Sequence, residues 1–505
     1  MEGIIISHSI LSEPIGQVYT PLKWAKWLLK KGDVPQAWAN GASICDPTAG
    51  EGAFAFALID LTEELGIDVT QSMLNRITLM DVQFKGLHKC HTKLAKRGID
   101  FPQKNLINVD VILDTPQMKF DVLVGNPPWA NFTDLPSNYK ERLKPLFHQY
   151  SLVSSRKNLL LGSSRIDIAA LVLEITLGQL LVDSGEGHFF VPLSLFSGED
   201  AHKGFRDYLL QGKPFCVSEV YEFSETAAFP DIGTSYCYAH FRKGESQVFP
   251  IKYFREESQR WKQMFAHPLR ENDDPWIITS CASLAQEQTT VSISLKKRQK
   301  PRQGINTCGA NDVFIFSQKP SLPDEFLFPL VTKDLWKSNC SQPQKWLLLP
   351  YNRKNAKPLT YAELSYHPSL LTYLEKHKEK LISRKGTLIQ TSIQKGFWWA
   401  LLGIGPYSFA PFKVVWEAYG KQVFQPRIID SYAGNPWQPN QAMQAFIPCW
   451  DRQEAERIQT ELQNPQIHYL LKMLNGGGKC NWAQPGKIKK ILNFEEKQTN
   501  QMSLF

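Results

Sequence analysis

The sequence predicts an α/β protein built on a doubly wound, mostly parallel sheet, followed by a second, mixed α/β region. Three observations carry this. Short apolar strand candidates alternate with helix-spaced segments through the first half of the chain. Carboxylates recur at the C-terminal ends of those strands, where open sheets of this kind hold ligands. Charge is also divided unevenly. Residues 1–290 carry 28 Lys and Arg against 34 Asp and Glu, a net −6, whereas residues 291–505 carry 29 against 15, a net +14.

The elements follow in order. Ala42–Asp46 is a short strand ending in a turn, and Gly52–Glu64 has helical spacing through Phe54, Leu58, Leu61 and Leu65. Arg76–Asp81 is a second strand, followed by a helix over Gly86–Arg97. Leu106–Val111 and Phe120–Gly125 are the third and fourth strands. Continuously apolar strands of this kind belong to parallel sheets covered on both faces. Ile166–Val182 reads as one long apolar helix, with further strands at His188–Pro192 and Ser235–Arg242. The basic stretch Leu295–Arg302 marks a boundary, so that residues 1–290 form one domain and residues 291–490 another, with 491–505 a flexible tail. Leu371–Arg384 is a charged helix, and Gly476–Gly478 a turn.

At 505 residues, 43% hydrophobic and 21% charged, the chain has the composition of a soluble globular protein of two or three domains. No apolar run reaches the length of a membrane span. The apolar N-terminus lacks the basic region and cleavage site of a signal peptide. Nine scattered cysteines, with no Cys-x-x-Cys pair, point to reduced thiols and a cytoplasmic protein. His88-Lys89-Cys90-His91 comes nearest to a metal cluster, but neighbours on a helix point apart, and no metal is expected.

Three segments carry chemistry. Asp46-Pro47-Thr-Ala-Gly50-Glu51-Gly52-Ala-Phe54 runs from a strand into a helix, where glycines let backbone approach a ligand. Asp81 and Asp110 follow the next two strands; the first suits ribose hydroxyls and the second an adenine amino group, although either is also a natural helix cap. Asn126-Pro127-Pro128-Trp129 follows the fourth strand. Prolines stiffen that loop and remove two donors, leaving carbonyls free to accept. The Asn126 side-chain oxygen and the Pro127 carbonyl suit the two hydrogens of an aromatic amine, and Trp129 offers a face on which its ring can stack. A proline turn with a buried Trp is the plainer alternative.

On these residues the sequence resembles the gamma group of adenine-N6 DNA methyltransferases of restriction-modification systems, over about residues 14–245. Gly16-Gln-Val-Tyr19-Thr20-Pro21 resembles that family's N-terminal cofactor segment, and Asp46–Phe54 its first cofactor motif. Asp81 and Asp110 fall at its ribose- and adenine-contacting acids, and Asn126–Trp129 at its catalytic tetrapeptide. Arg165-Ile-Asp167 resembles the segment closing over the cofactor's adenine, and Phe229 its second contact to a flipped base. Ala49 and Glu51 depart from the Cys and Thr that members often carry; Glu51 places an extra carboxylate near the cofactor.

The resemblance implies a Rossmann-like core binding S-adenosylmethionine and direct methyl transfer, without a metal, to a flipped adenine in duplex DNA. Asn126, Pro127, Pro128 and Trp129 would be catalytic. Tyr19, Thr20, Pro21, Asp46, Pro47, Gly50, Gly52, Phe54, Asp81, Asp110, Asn126 and Asp167 would hold the cofactor. Residues 291–490 resemble a target-recognition domain through Gly304–Phe314, Leu349–Tyr351, Lys380–Arg384, Phe397–Trp399 and Phe412–Trp416; Trp398 and Trp399 could touch sugars or bases, although aromatic pairs are more often core. A prokaryotic, nucleoid-associated protein is expected. Since the cofactor segment starts at residue 16, any cognate restriction endonuclease would be a separate chain. Gln501-Met502-Ser503-Leu504-Phe505 resembles the peptide that docks bacterial proteins on the sliding clamp. The alternatives are an RNA adenine or protein glutamine methyltransferase, which share the tetrapeptide, and a catalytically silent DNA-binding module.

Overall fold

A computed structural model describes residues 18–153, 166–198, 200–229, 232–269, 274–280, 291–296, 298–336, 342–419, 423–440, 443–475 and 482–495. Gly16, Gln17, Arg165, Gly476–Gly478 and the Gln501–Phe505 tail lie outside them. The chain divides into two compact units, residues 1–287 and 288–505.

The first unit is organised by one eleven-stranded sheet. Its strands are β1 (Ile44–Asp46), β2 (Ile77–Asp81), β3 (Leu106–Asn108), β4 (Phe120–Gly125), β5 (Leu181–Pro192), β6 (Leu209–Leu210), β7 (Lys213–Glu222), β8 (Tyr236–Lys243), β9 (Ile251–Glu257), β10 (Arg260–Pro268) and β11 (Trp276–Thr279). They lie in the order β11-β10-β9-β7-β8-β5-β4-β1-β2-β3, with β6 beside β7. The strands from β3 to β5 run parallel, and the largely apolar β1, β2 and β4 suit a sheet covered on both faces. From β5 outward the sheet gains antiparallel neighbours, beginning with β8. Strand order reverses between β1 and β4, which opens a crevice beyond their C-terminal ends.

Helices α1 (Leu22–Lys31), α2 (Val34–Ala39), α3 (Ala53–Glu64), α4 (Gln71–Leu74), α5 (Phe84–Lys96), α6 (Ser137–Gln149) and α7 (Ile168–Ile175) cover this part of the sheet. One side buries Ala25, Leu28 and Leu29 of α1 with Phe54, Leu58 and Leu61 of α3. Lys26 ties the two helices with ion pairs to Asp60 (2.9 Å) and Glu64 (3.0 Å). The other side buries Leu143 and Phe147 of α6 with Leu171 and Val172 of α7.

Two elements of the first unit differ from expectation. The strand expected to reach Val111 stops at Asn108, because the Asp110 carboxylate accepts from the Ile112 backbone N–H (3.0 Å) and turns the chain. The helix expected over Ile166–Val182 ends at Ile175, passes through a wide π turn over Thr176–Leu180 and becomes β5 at Leu181. Lys243 accounts for the change of course, donating to the carbonyls of Gly178 (2.8 Å) and Leu181 (2.7 Å).

The second unit holds a four-stranded antiparallel sheet in the order Arg302–Gln303, Gln444–Cys449, Phe412–Glu417, Arg427–Ile429, together with smaller ladders and helices. The helix expected over Leu371–Arg384 breaks at His377 into Pro368–Lys376 and Lys378–Ile382. Trp398 and Trp399 are buried in the core, with the Trp399 ring nitrogen donating to the Leu359 carbonyl (3.1 Å), so they are packing residues and not exposed faces for bases or sugars. Arg384 is also internal, donating to the carbonyls of Leu381, Thr307, Ala400 and Trp398.

Lys413 is buried too; its ammonium donates to the Ala410 carbonyl (3.1 Å), and burial pulls its pKa down to about 7. A lysine whose folded pKa lies below its unfolded value destabilises the fold wherever the unfolded chain holds the extra proton. Stability therefore rises as pH climbs from about 7 toward the ordinary lysine range. Thermal unfolding of Lys413→Met compared with the parent at pH 7 and pH 9.5 should show that rise in the parent and its loss in the variant.

A candidate cofactor and substrate cavity at the strand ends

The cavity begins with the turn that leaves β1. Gly50 and Gly52 have φ of +54° and +83°, left-handed values that disfavour any side chain. The Gly50 N–H donates to an Asp81 carboxylate oxygen (2.8 Å), and the other Asp81 oxygen accepts from Gln83 N–H (2.7 Å). The turn also packs closely on α5: a Cβ at Gly52 would stand 2.1 Å from Cys90 Sγ, and one at Gly86 2.7 Å from the Gly50 carbonyl. Glycine is thus needed at position 52 for space as well as for backbone conformation.

Beyond this turn lies a cavity of about 740 Å³, within the range of small-molecule sites. Of the residues singled out from sequence, its wall includes Tyr19, Thr20, Asp46, Pro47, Gly50, Phe54, Asp81, Asp110, Asn126 and Pro128. The ends of β1, β2 and β4 and the turn after β3 therefore deliver their polar residues to one space. Burial pushes the Asp46 carboxyl well above the usual carboxylate range, and one of its oxygens has no hydrogen-bond partner. Burial raises Asp81 as well, opposed by its two backbone donors. It also raises Asp110, opposed by the Tyr139 hydroxyl, which donates at 2.9 Å. The extra carboxylate at Glu51 is held by Lys89 (2.8 Å) and Lys93 (2.6 Å), which keep it below the ordinary glutamate range.

Asn126 is held by two hydrogen bonds. Its side-chain nitrogen donates to the Val18 carbonyl and to Thr20 Oγ1, both at 3.2 Å. A carbonyl can only accept, so this contact fixes which end of the amide is which. The Asn126 carboxamide oxygen is left buried and without a partner.

Pro21, Gly52, Pro127, Trp129, Asp167 and Phe229 are outside the cavity wall. Pro21 precedes α1, and its carbonyl accepts from Trp24 N–H (2.9 Å). Trp129 is buried, lies face to face with Tyr236 (centroids 5.4 Å, 30°) and meets Phe229 edge-on (5.1 Å, 77°). The two residues assigned to a flipped base are therefore neighbours, within an aromatic group that includes Tyr236. Asp167 caps α7 by accepting from Ala169 N–H (3.0 Å), and it sits in a short bridge with Asn131, just beyond the proline loop. Burial pushes Asp167 up to about 7.

Sequence reasoning missed several members of the wall: Thr48, Ile112, Leu135 and Tyr139, and the cationic edge of Lys93, Lys96 and Arg97. Thr48 and Ile112 flank residues already singled out, so adjacency was a usable signal for them. Tyr139 and the cationic edge reach the cavity from helices, and no local spacing announces that.

Residues 59–229 match the family model described as Eco57I restriction-modification methylase. The chain is 23% identical over 276 residues to the type II methyltransferase M.HincII of Haemophilus influenzae, covering 52% of this chain and 46% of that protein. It is 23% identical over 398 residues to the type II methyltransferase M.BstVI of Geobacillus stearothermophilus, covering 68% and 66%. The chain thus spans about half the length of M.HincII. In fold it is similar to the type IIL restriction-modification enzyme MmeI, solved in complex with DNA, with a TM-score of 0.52 at 13% identity, covering 85% of this chain and 60% of that one.

Two outcomes follow from this geometry. Gly52→Ala should lower stability by about 1–3 kcal/mol or more from backbone strain alone, seen as an earlier midpoint in urea unfolding. Asp167 has a folded pKa raised above its unfolded value, so the stability it contributes is complete below pH 4 and lost as pH rises through about 7. Asp167→Asn keeps a capping oxygen and should melt higher than the parent at pH 8, with the difference shrinking toward pH 4.

Proposed function

We propose that the chain is a site-specific DNA methyltransferase that transfers a methyl group from S-adenosylmethionine to the N6 amine of a flipped adenine in duplex DNA. The observation that carries this reading is the Asn126 carboxamide oxygen, a buried acceptor without a partner on the wall of the cavity that holds the glycine turn.

The residues present fit that cofactor. The Gly50 turn offers close backbone approach, Asp81 and Asp110 offer carboxylates at successive strand ends, and Asp46 keeps an oxygen without a partner. Bound there, S-adenosylmethionine supplies a methyl group made electrophilic by sulfonium charge. The chain's own part is orientation. Thr20 and the Val18 carbonyl fix the Asn126 amide so that its oxygen accepts one amine hydrogen, with the Pro127 carbonyl as the second acceptor. These bonds strengthen as the nitrogen becomes tetrahedral, which draws its lone pair out of the ring. An extruded base would stack, at about 1–3 kcal/mol, on the aromatic group of Trp129, Tyr236 and Phe229 once Trp129, buried outside the cavity wall, turns a face toward the cavity.

DNA as substrate draws on the net +14 of residues 291–505, since phosphate contacts dominate affinity for nucleic acid. It also draws on the likeness to type II methyltransferases and to MmeI. Residues 291–490 would then be the recognition domain, a separate endonuclease would cut unmodified sites, and the terminal Gln501–Phe505 peptide would dock on a sliding clamp.

The test offers radiolabelled S-adenosylmethionine with duplex DNA, ribosomal RNA and protein. Label should enter adenine of duplex DNA, and Asn126→Ala should lower kcat by about 10²–10³ or more with an unchanged melting midpoint. Trp129→Ala should likewise abolish transfer in a folded protein. Thr20→Val should lower kcat while leaving KM for DNA near the parent value. Label in RNA or in protein glutamine instead, or DNA binding with no transfer at all, would replace this reading.

A further inference from the structure

One stretch of the cavity wall is apolar around two bonded polar groups, Asp110 and Tyr139. Ile112, Leu135, Ile168 and Val172 line the cavity and belong to one buried cluster with Tyr139. Tyr139, Leu143 and Phe147 recur at the four-residue spacing of one helix face. The last two anchor α6 in that cluster, while Tyr139, in the first turn, reaches the cavity wall. Its hydroxyl donates to Asp110 Oδ2 at 2.9 Å.

We propose that Tyr139 is a positioning residue for the cofactor: its hydroxyl, bonded to Asp110, aims that carboxylate as the acceptor for the amino group of the cofactor's adenine. This rests on the cavity being the site of S-adenosylmethionine. An ionised carboxylate offers about four acceptor positions. Asp110 Oδ1 takes the backbone N–H groups of Ile112 (3.0 Å) and Leu113 (3.3 Å), and Oδ2 takes the Tyr139 hydroxyl. One position remains on Oδ2, and Asp110 lies on the cavity wall. A purine amine supplies an N–H for that position, and the apolar side chains around it suit the ring.

The same bond sets what the site rejects. The one O–H of Tyr139 is committed to Asp110, so its oxygen, like the carboxylate, can only accept from a ligand. Hypoxanthine carries a carbonyl where adenine carries the amine, and would set oxygen against oxygen. Burial, then the Asp110 charge, push the Tyr139 phenol above its ordinary range against the pull of Arg142, so the proton stays on it. Burial raises Asp110 too; Tyr139 opposes that rise most, then the Ile112 and Leu113 N–H groups, while Asp114 adds to it. Without the hydroxyl the carboxyl would take up a proton at a higher pH. A protonated carboxyl donates as well as accepts, and the choice between the two purines would blur.

The experiment titrates the full chain calorimetrically with S-adenosylhomocysteine and with its counterpart carrying hypoxanthine in place of adenine. The parent should bind the adenine compound more tightly. Tyr139→Phe keeps the packed ring and removes the hydroxyl alone. It should bind the adenine compound about tenfold more weakly and lose a similar factor of preference over the counterpart. As pH is lowered, its affinity should begin to fall at a higher pH than the parent's. In an Asp110→Asn background, Tyr139→Phe should weaken binding no further, because the two residues act as one unit; a ring that served packing alone would weaken it equally in both backgrounds. Parent-like affinity and preference in Tyr139→Phe, or an undiminished loss in the Asp110→Asn background, would overturn the assignment of Tyr139 while leaving the cofactor in place. A folded parent that binds neither compound would overturn the cofactor reading and this assignment with it. None of these readouts depends on methyl transfer.

Discussion

The hydrogen bond from Gly50 N–H to the Asp81 carboxylate is the constraint on which the first unit's site depends. It joins the turn after β1 to the end of β2, and two neighbouring parallel strands thereby fix one loop. With the turn held, Gly52 can cap α3 in a left-handed conformation, and α5 can pack against the turn through Cys90 and Gly86. The cavity is the space this arrangement leaves at the reversal of strand order. Its polar groups are there because parallel strands all end on the same side.

The parts of this architecture that were legible in the sequence are those set by local pattern. Apolar runs of strand length ending in Asp46, Asp81 and Gly125 located three strand ends, and Asn126 followed directly from the last. The parts that were not legible are set by partners distant in sequence. An apolar stretch is compatible with buried helix and buried strand alike, so nothing local showed that Ile175 ends a helix; Lys243, from β8, decides it. The burial of Trp129 against Tyr236 and Phe229 depends on a segment a hundred residues downstream. Asp167 was read as a cofactor contact, whereas its carboxylate is turned to capping α7.

Charge in the second unit teaches a related lesson. Its excess of Lys and Arg is a property of composition, but several of those side chains serve the fold. Arg384 gathers four backbone carbonyls, Lys413 is internal, Lys296 pairs with Glu454, and Arg298 and Arg302 lie over Trp450 and Tyr407. Buried Arg384 and Lys413 are thus out of reach of direct contact with a polyanion. The basic stretch around residue 300 is therefore in part a set of packing contacts and not a free arm.

The two bonds that orient the Asn126 amide both come from the segment that precedes α1 and walls the cavity, through the Val18 carbonyl and the Thr20 hydroxyl. Enclosure and alignment are consequently one mechanical variable. Displacing that segment would remove part of the cavity wall and, in the same movement, release the carboxamide to rotate.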